Sequence, residues 1–306
     1  MGDAMNLTPR FNRAQATSFA LILLALGSGG QTQSTPNVMN VATSPNGSTA
    51  ADMFRDLGRV CTSAALLRQR QTSGSIENIQ LLMENKVALA FVQLDVLKAR
   101  DQIDQDPRAK DLRVLLPLNF DEIHLIVKRP TRDVFGRIKG VTAFSGLKGK
   151  RVGAWGGSVV TAQILKAKAN NAYTVVPLND RAASLAALNA GQVDAVLAVV
   201  GQPADWINTL NPAVFTLAPL DIPQGVLNGF YRPARLLYPK FGAAISTYSV
   251  QRLLITRNLK TPERRLPLLA YQKCALSKLS TLQETEGMHP KWNEVTLKER
   301  DWPLFK

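Results

Sequence analysis

The sequence has few of the residues from which catalytic and metal sites are built. Its 306 residues include two histidines, His124 and His289, and two cysteines, Cys61 and Cys274. Metal clusters and histidine-based triads need more such groups close together. No Gly-x-Ser-x-Gly or Cys-x-x-Cys occurs, and no Gly-Lys-Ser/Thr follows a glycine-rich loop. The sequence therefore favours a non-enzymatic protein with no cofactor and no metal ion, in which His124 is a structural residue.

Acidic residues are also scarce: 23 Asp and Glu stand against 37 Lys and Arg, and the formal net charge is +14. The basic residues are scattered in ones and twos, with no long Lys/Arg run and no zinc-finger or RNP-type motif. This pattern does not favour nucleic-acid binding. An anionic ligand, an acidic partner or solubility explains the charge at least as well.

Long apolar runs are missing except near the start of the chain. The run "FALILLALGSGG", Phe19 to Gly30, follows Arg10 and Arg13 and is too short to span a bilayer. These features are typical of a signal peptide over residues 1–30, with cleavage between Gly27 and Gln33. A buried N-terminal helix is the alternative. We expect a periplasmic protein that is soluble after cleavage and, because no Cys follows the run, no lipid anchor.

The two cysteines lie far apart in the sequence. In the oxidising compartment that the signal region predicts, Cys61 and Cys274 are expected to form one disulfide, and two buried free thiols are the alternative. A disulfide would hold the C-terminal segment against the part of the chain that contains Cys61.

Strand and helix patterns alternate twice along the chain, which indicates two α/β units with mostly parallel sheets. The extended stretches Leu112 to Pro130 and Phe215 to Val226 read as connections between the units. We therefore expect two lobes. The first comprises residues 35–122 with 226–306, including a C-terminal helix and tail, and the second comprises residues 123–225.

Three polar loops each precede a predicted helix: "TSPNGST", "TSGSIEN" and "AWGGSVVT". Helix N-termini present free N–H groups and a positive dipole end, so that loops from two lobes meeting at one cleft would hold an anion. Each loop taken alone is equally typical of helix capping. Their equivalent positions in both units favour a binding site, because ligands of open α/β sheets lie beyond the carboxyl ends of the strands.

Four segments in order carry a family resemblance: "TSGSIENIQLLMENKVALAFVQLDV", "LPLNFDEIHLIVKR", "LKGKRVGAWGGSVVTAQIL" and "LNAGQVDAVLAVVGQP". They resemble the TAXI family of solute-binding proteins, which serve TRAP-type secondary transporters. The resemblance covers about Val41 to Leu220. It implies a type II periplasmic-binding-protein fold whose two α/β lobes close about a hinge, and a ligand that is a small organic acid or amino acid.

The resemblance and the polar loops together select the candidate ligand-binding residues. The family's serine-bearing and glycine-bearing motifs fall on Gly74 to Asn78, on the strand end with Gln93 and Asp95, and on the loop before Thr161. The full candidate set is Asn46, Gly47, Ser48, Thr49, Ser73, Gly74, Ser75, Asn78, Gln93, Asp95, Trp155, Gly156, Gly157, Ser158 and Thr161.

Two positions depart from the family pattern. Thr49 and Ala50 stand where the family usually has a pair of tyrosines, so glutamate is not assumed to be the ligand. Trp155 stands where the family commonly has a small residue or proline, and it would narrow the cleft or stack on the ligand.

The sequence thus predicts an exported receptor that closes on a small anionic carboxylate. The partners would be the membrane permease subunits of a TRAP transporter, or the outer domain of a signalling sensor. An enzyme on the same fold is the remaining alternative.

Overall fold

Two β-α-β-α-β units with the same strand order form the framework of the protein. The computed structural model describes residues 37–298 and 301–306, which all belong to one compact unit. The predicted signal peptide, residues 1–30, lies outside the described residues.

The first unit contains three parallel strands in the order β2-β1-β3. All residues of the strand Leu89–Gln93 are buried, as expected of a parallel strand covered on both faces. Met53 and Leu57, one helical turn apart, are the buried side of the first helix. The elements are β1 (Val38–Ala42), α1 (Thr49–Val60), β2 (Leu66–Arg70), α2 (Ser75–Met83), β3 (Leu89–Gln93) and α3 (Leu94–Gln102).

The second unit repeats this plan, with parallel strands in the order β8-β7-β9. Asp180 caps the second of its helices by accepting a hydrogen bond from Ala183 N, and Gly191 ends that helix in a left-handed conformation. The elements are β7 (Arg151–Ala154), α4 (Gly157–Lys168), β8 (Thr174–Pro177), α5 (Arg181–Ala190) and β9 (Ala195–Val200).

Two long antiparallel strands connect the units: β4 (Leu112–Lys128) and β12 (Ile245–Arg257). β4 pairs with β12 from Leu112 to Glu122 and with β9 from Glu122 onward, while β12 also pairs with β3. Hydrogen bonding is therefore continuous through the order β2-β1-β3-β12-β4-β9-β7-β8. The predicted connection from Leu112 is confirmed as an extended strand, and the two expected sheets are joined edge to edge through it.

The remaining elements complete the two ends of the molecule. A small hairpin, β5 with β6, follows β4, and β10 and β11 pair with β4 and β12. Their bounds are β5 (Thr131–Arg132), β6 (Ile138–Lys139), α6 (Asp205–Thr209), β10 (Phe215–Ala218), β11 (Arg232–Leu236), α7 (Pro262–Ser277) and α8 (Leu279–Glu284). Short 3-10 helices lie at Pro107–Asp111, Phe144–Leu147, Pro239–Phe241 and Pro290–Glu294.

The C-terminal segment packs on the first unit. Trp292 is 1% exposed, and its indole N–H donates to Asp56 Oδ2 at 3.0 Å. A disulfide joins Cys61, next to the end of α1, to Cys274 in α7 across a sequence separation of 213 residues. Both contacts attach the end of the chain to α1.

The lobe boundaries remain a proposal. The change of β4 partner at Glu122 supports the first boundary, between residues 122 and 123. At the return, Leu236 and Tyr238 pack in the same cluster as Ile126 and Val196. Contacts with the second unit therefore extend beyond residue 226.

The disulfide leads to a prediction about stability. Closing so long a loop restricts the unfolded chain, so we expect the double variant Cys61→Ser, Cys274→Ser to lose about 2–5 kcal/mol of the free energy of unfolding. Chemical denaturation without reductant measures the loss. Mass spectrometry of the exported protein after alkylation should find both cysteines unmodified unless reductant is present. Alkylation of the folded, oxidised protein at Cys274 would contradict the pairing.

Candidate functional site

A cavity of about 330 Å³ lies between the two units, at the carboxyl ends of their parallel strands. This is the position where open α/β sheets bind ligands. Its lining residues come from the loops before α1, α2, α4 and α5 and from β3, β9, α6 and β12. They are Ser44, Pro45, Asn46, Gly47, Ser48, Ser73, Gly74, Ser75, Gln93, Trp155, Gly157, Ser158, Asn179, Asp180, Arg181, Ala182, Val199, Val200, Trp206 and Arg252.

Four helices begin at this cavity, two from each unit. Ser48 and Asp180 cap α1 and α5 with their side chains, accepting from Ala51 N and Ala183 N. The N-caps of α2 and α4 are Gly74 and Gly156, which have no side chain to cap with. The first-turn N–H groups and the positive dipole ends are thus gathered around one small volume.

The two units touch where the glycine loops meet. A Cβ at Gly156 would lie 2.1 Å from the carbonyl oxygen of Ser73, and one at Gly157 would lie 2.2 Å from Gln93 Oε1. A Cβ at Gly74 would be 3.5 Å from Gly157 N. At Gly156, where the neighbour is backbone and φ is +50°, only glycine allows this approach, whereas at Gly157 the neighbours are the side chains of Gln93 and Ser75. These glycines are thus needed for contact between the units, and the arrangement in which the units touch is called the closed form below.

A buried hydrogen-bond group joins the units beside the cavity. The Asp95 carboxylate, at the start of α3, accepts from the Thr161 hydroxyl of α4 at 2.6 Å and from the Tyr231 hydroxyl at 2.8 Å. Burial raises the pKa of Asp95, and the two hydroxyl donors oppose that shift. On the other side, Thr49 Oγ1 donates to Gly201 O at 3.3 Å. Both contacts require the closed arrangement.

Arg252 supplies the buried charge of the cavity. It lies on β12 opposite Gln93 of β3 and is 5% exposed. Its guanidinium forms an ion pair with Asp121, and its Nε has no hydrogen-bond partner among the described residues. Arg181, an exposed residue, adds a second guanidinium. Of the lining residues Arg181 and Arg252 are basic and Asp180 is acidic, while Asp121, the partner of Arg252, does not line the cavity.

Lys291 and Glu122 form a second buried ion pair. Lys291 Nζ is 2.6 Å from Glu122 Oε1 and 2.6 Å from Glu294 Oε1. Glu122 Oε2 accepts from Gln202 N at 2.8 Å, in the loop that follows β9. Burial is the main effect on the pKa of Glu122 and raises it, against the attraction of Lys291. This group connects the C-terminal segment, β4 and the second unit.

Two tryptophans form one wall of the cavity. Trp155 precedes Gly156, and Trp206 lies in α6. Their ring centroids are 6.0 Å apart with planes at 67°, an edge-to-face arrangement. The Arg181 guanidinium carbon lies 5.4 Å from the Trp206 centroid. The second unit therefore offers an aromatic surface next to a cation.

Ten of the candidate residues line the cavity together. They are Asn46, Gly47, Ser48, Ser73, Gly74, Ser75, Gln93, Trp155, Gly157 and Ser158. Within this set Ser75 Oγ accepts from Gln93 N at 3.0 Å, and Ser158 Oγ accepts from Val199 N at 3.0 Å. Each hydroxyl therefore faces the cavity and also accepts a hydrogen bond from the end of a strand, β3 for Ser75 and β9 for Ser158.

Five candidates do not line it: Thr49, Asn78, Asp95, Gly156 and Thr161. Asn78 is fully buried, and its side-chain amide donates to the carbonyls of Thr43 and Phe91, both at 2.7 Å. The other four lie at contacts between the units. Their polar groups are bonded within the protein, which places them in support of the cavity.

Sequence reasoning missed Arg181, Arg252 and Trp206. A signal for Arg181 was present in the sequence. The segment "LNDR" follows β8 in the same way that "TSGS" follows β2, and the two loops are equivalent in the repeated units. Arg252 lies inside the apolar strand "TYSVQRLLITR", where only its pairing with β3 brings it to the cavity. No local pattern distinguishes Trp206.

His124 is a buried structural residue. Its Nδ1 donates to Glu122 O at 3.0 Å, and its Nε2 accepts from the Tyr238 hydroxyl at 3.0 Å, which itself accepts from Ala204 N. This tautomer follows from the partners, since a carbonyl only accepts. Burial lowers the pKa of His124 to about 4. A neutral histidine with both nitrogens bonded is not placed to act as a general base.

Two further observations concern the described residues as a whole. In residues 37–298 and 301–306, no group of three or more His, Cys, Asp or Glu side chains is placed to hold a metal ion. No helix in that part of the chain is long and apolar enough to cross a membrane.

A larger groove of about 960 Å³ lies beside the cavity, between α2 and α3 on one side and α4 on the other. Its lining is mostly aliphatic, from residues such as Ile76, Val159 and Ile164. It lacks Arg252, the buried guanidinium of the smaller cavity. The smaller cavity is therefore the better candidate for a polar ligand.

The architecture is the two-lobed α/β periplasmic-binding-protein fold, which confirms the predicted fold class. A substrate-binding protein of an amino acid ABC transporter from Streptococcus pneumoniae, bound to L-arginine, is 16% identical, with a TM-score of 0.52 over 86% of this chain and 97% of that one. The GluR0 ligand-binding core from Nostoc punctiforme, in complex with L-glutamate, is 15% identical, with a TM-score of 0.50 over 86% of this chain and 100% of that one.

The effector-binding domain of QuiR in complex with shikimate is 10% identical, with a TM-score of 0.51 over 79% of this chain and 97% of that one. At such identities the likeness establishes the fold and not the ligand. The chain belongs to the NMT1-like family, whose model matches residues 50–228. No curated protein matches the sequence.

The glycine contact predicts that a single methyl group will hinder closure. In Gly157→Ala the new Cβ would meet Gln93 Oε1 and would lie 3.2 Å from Ser75 Cβ. We expect a loss of about 1–3 kcal/mol from overpacking of the closed form. Amide hydrogen exchange in the first turn of α4 should also become faster.

Gly58→Ala is the matched control, since Gly58 lies in α1 with no atom within 4 Å of a new Cβ. Its exchange in α4 should not change. Equal stability and equal exchange in the two variants would mean that the glycine loops do not meet in solution.

The environment of His124 predicts a pH dependence. Because the pKa is about 4 in the folded protein and 6.5 ordinarily, the unfolded chain takes up a proton first as the pH falls. Stability present above pH 6.5 should therefore be lost between pH 6.5 and 4, by up to about 3 kcal/mol from this group. NMR titration of its ring protons should give a midpoint near 4, and a midpoint near 6.5 would refute the assignment.

Proposed function

We propose that the protein is a periplasmic solute receptor that closes its two lobes on a small anionic carboxylate. The observation that carries the proposal is the composition of the cavity between the lobes. Four helix N-termini, the buried Arg252 and the exposed Arg181 surround about 330 Å³, with Asp180 as the one acidic lining residue. Such a volume lies at the small end of ligand sites, roughly 300–1,000 Å³.

The charge of the site favours an anion over a cation or a sugar. Arg252 is paired with Asp121, and the charge of Arg181 is offset by that of Asp180, so the excess positive potential comes from the helix N-termini. A carboxylate entering the cavity would receive hydrogen bonds from donors that the fold already holds in place. The net charge of +14 would also raise the local concentration of anions, an effect that salt weakens.

Closure is the proposed signal to the partner. In this proposal the glycine loops and the Asp95–Thr161 contact separate in the empty receptor, and the ligand bridges the lobes as these contacts form again. A partner that contacts both lobes can thereby distinguish loaded from empty receptor.

The partner we propose is the membrane permease of a TRAP-type secondary transporter. The ordered motifs that resemble the TAXI family support this choice, and the signal-peptide pattern of residues 1–30 supports export. Among the structurally similar proteins, one serves an ABC transporter and another is an effector-binding domain, so the fold is compatible with other partners. The TRAP assignment therefore depends on the sequence motifs.

The proposal predicts which solutes stabilise the protein. A thermal-shift screen of organic acids and amino acids should find at least one stabiliser, worth about 2.7 kcal/mol when the ligand is at a hundred times its Kd. Arg181→Gln should weaken its binding by roughly twofold to fivefold, as expected for an exposed charge. Isothermal titration calorimetry measures this change.

Arg59→Gln is the matched control, because it removes the same charge from an exposed position near the end of α1, away from the cavity. It should leave the affinity unchanged. Stabilisation by neutral sugars or by cations, with none by carboxylates, would refute the proposal.

A further inference from the structure

The cavity is divided into a charged part and an apolar part. Arg252 faces it from β12, and helix N-termini face it from both lobes, those of α1 and α2 from the first and those of α4 and α5 from the second. Trp155, Trp206, Val199 and Val200 face it from the second lobe. A ligand that consisted only of polar groups would leave this second surface without a partner.

The largest side chains of the apolar part are two tryptophans, Trp155 and Trp206. Trp155 and Trp206 account for two of the four tryptophans of the chain, and both are half-buried at the cavity. Their edge-to-face contact holds the two rings against each other. Aromatic rings of a ligand prefer such surfaces in offset-stacked or edge-to-face geometry.

The two parts are close enough to serve one small molecule. Arg181 lies beside Trp206, with 5.4 Å between the guanidinium carbon and the ring centroid. Trp155 is separated from Gly157, at the N-terminus of α4, by one residue. A carboxylate held by the helix N-termini would therefore carry its substituent along the tryptophan wall.

We infer that the ligand is an aromatic monocarboxylate with one ring and a short acid arm. The inference rests on the proposed function, because it assumes that the cavity binds a carboxylate and specifies an aromatic ring as the substituent of that acid. The volume of about 330 Å³ is sufficient for one ring with a short acid arm. The aliphatic groove beside the cavity does not contain either tryptophan.

The test compares acids that differ only in the ring. Calorimetry on the mature protein should show that phenylacetate or benzoate binds about tenfold more tightly than the saturated analogue, cyclohexylacetate or cyclohexanecarboxylate. Both should bind more tightly than L-glutamate, and benzamide, which keeps the ring without the charge, should not bind.

Variants of Trp155 then test whether the tryptophans of the cavity cause the preference for aromatic acids. Trp155→Leu should reduce the tenfold preference to about twofold or less, while Trp155→Phe, which keeps an aromatic ring, should retain most of it. Trp302→Leu is the matched control, since Trp302 is also half-buried but bonds to Leu112 O away from the cavity. It should leave the preference unchanged.

The outcomes separate the two claims. If L-glutamate or a saturated acid binds as tightly as its aromatic counterpart, the aromatic inference is wrong and the carboxylate receptor stands. If no carboxylate binds, both are wrong. A preference for aromatic acids that survives Trp155→Leu would also overturn the inference, because the ring would then be recognised elsewhere.

Discussion

The close approach of two glycine loops determines the geometry of the site. Gly156 and Gly157 begin α4 against the backbone of Ser73 and the side chain of Gln93, at distances that leave no room for a Cβ. Because α2 begins at the same point from the other unit, this contact brings the N-termini of the two helices to one cavity. A larger residue at Gly156 would clash with the carbonyl of Ser73, so one of the two walls would have to move.

The same contact explains why polar residues close to the site differ in role. Ser75, Gln93 and Ser158 face the cavity, whereas Asp95 and Thr161 bond to each other beside it. The polar side chains here are of two kinds: some form hydrogen bonds between the units, and others face the cavity. The Nε of Arg252 has no hydrogen-bond partner among the described residues, although the side chain is 5% exposed and pairs with Asp121.

The fold was predictable because its signals are local and repeated. The order strand, polar loop, helix, apolar strand appears twice, and the structure builds β2-β1-β3 and β8-β7-β9 from it. The polar loops placed ten of the fifteen candidates at the cavity. Arg252 escaped detection because its position depends on the register of β12 with β3, which pairs segments about 160 residues apart. The position of Asn78 away from the cavity lining likewise depends on carbonyl partners from two other segments.

The most direct test of the central claim is a crystal structure of the protein with a stabilising carboxylate. We expect density for the acid between the two lobes, with its carboxylate toward Arg252 and the helix N-termini and with the glycine loops in contact. Density for the acid in the aliphatic groove between α2 and α4, or on an outer surface with the cavity empty, would contradict a receptor that closes on its ligand.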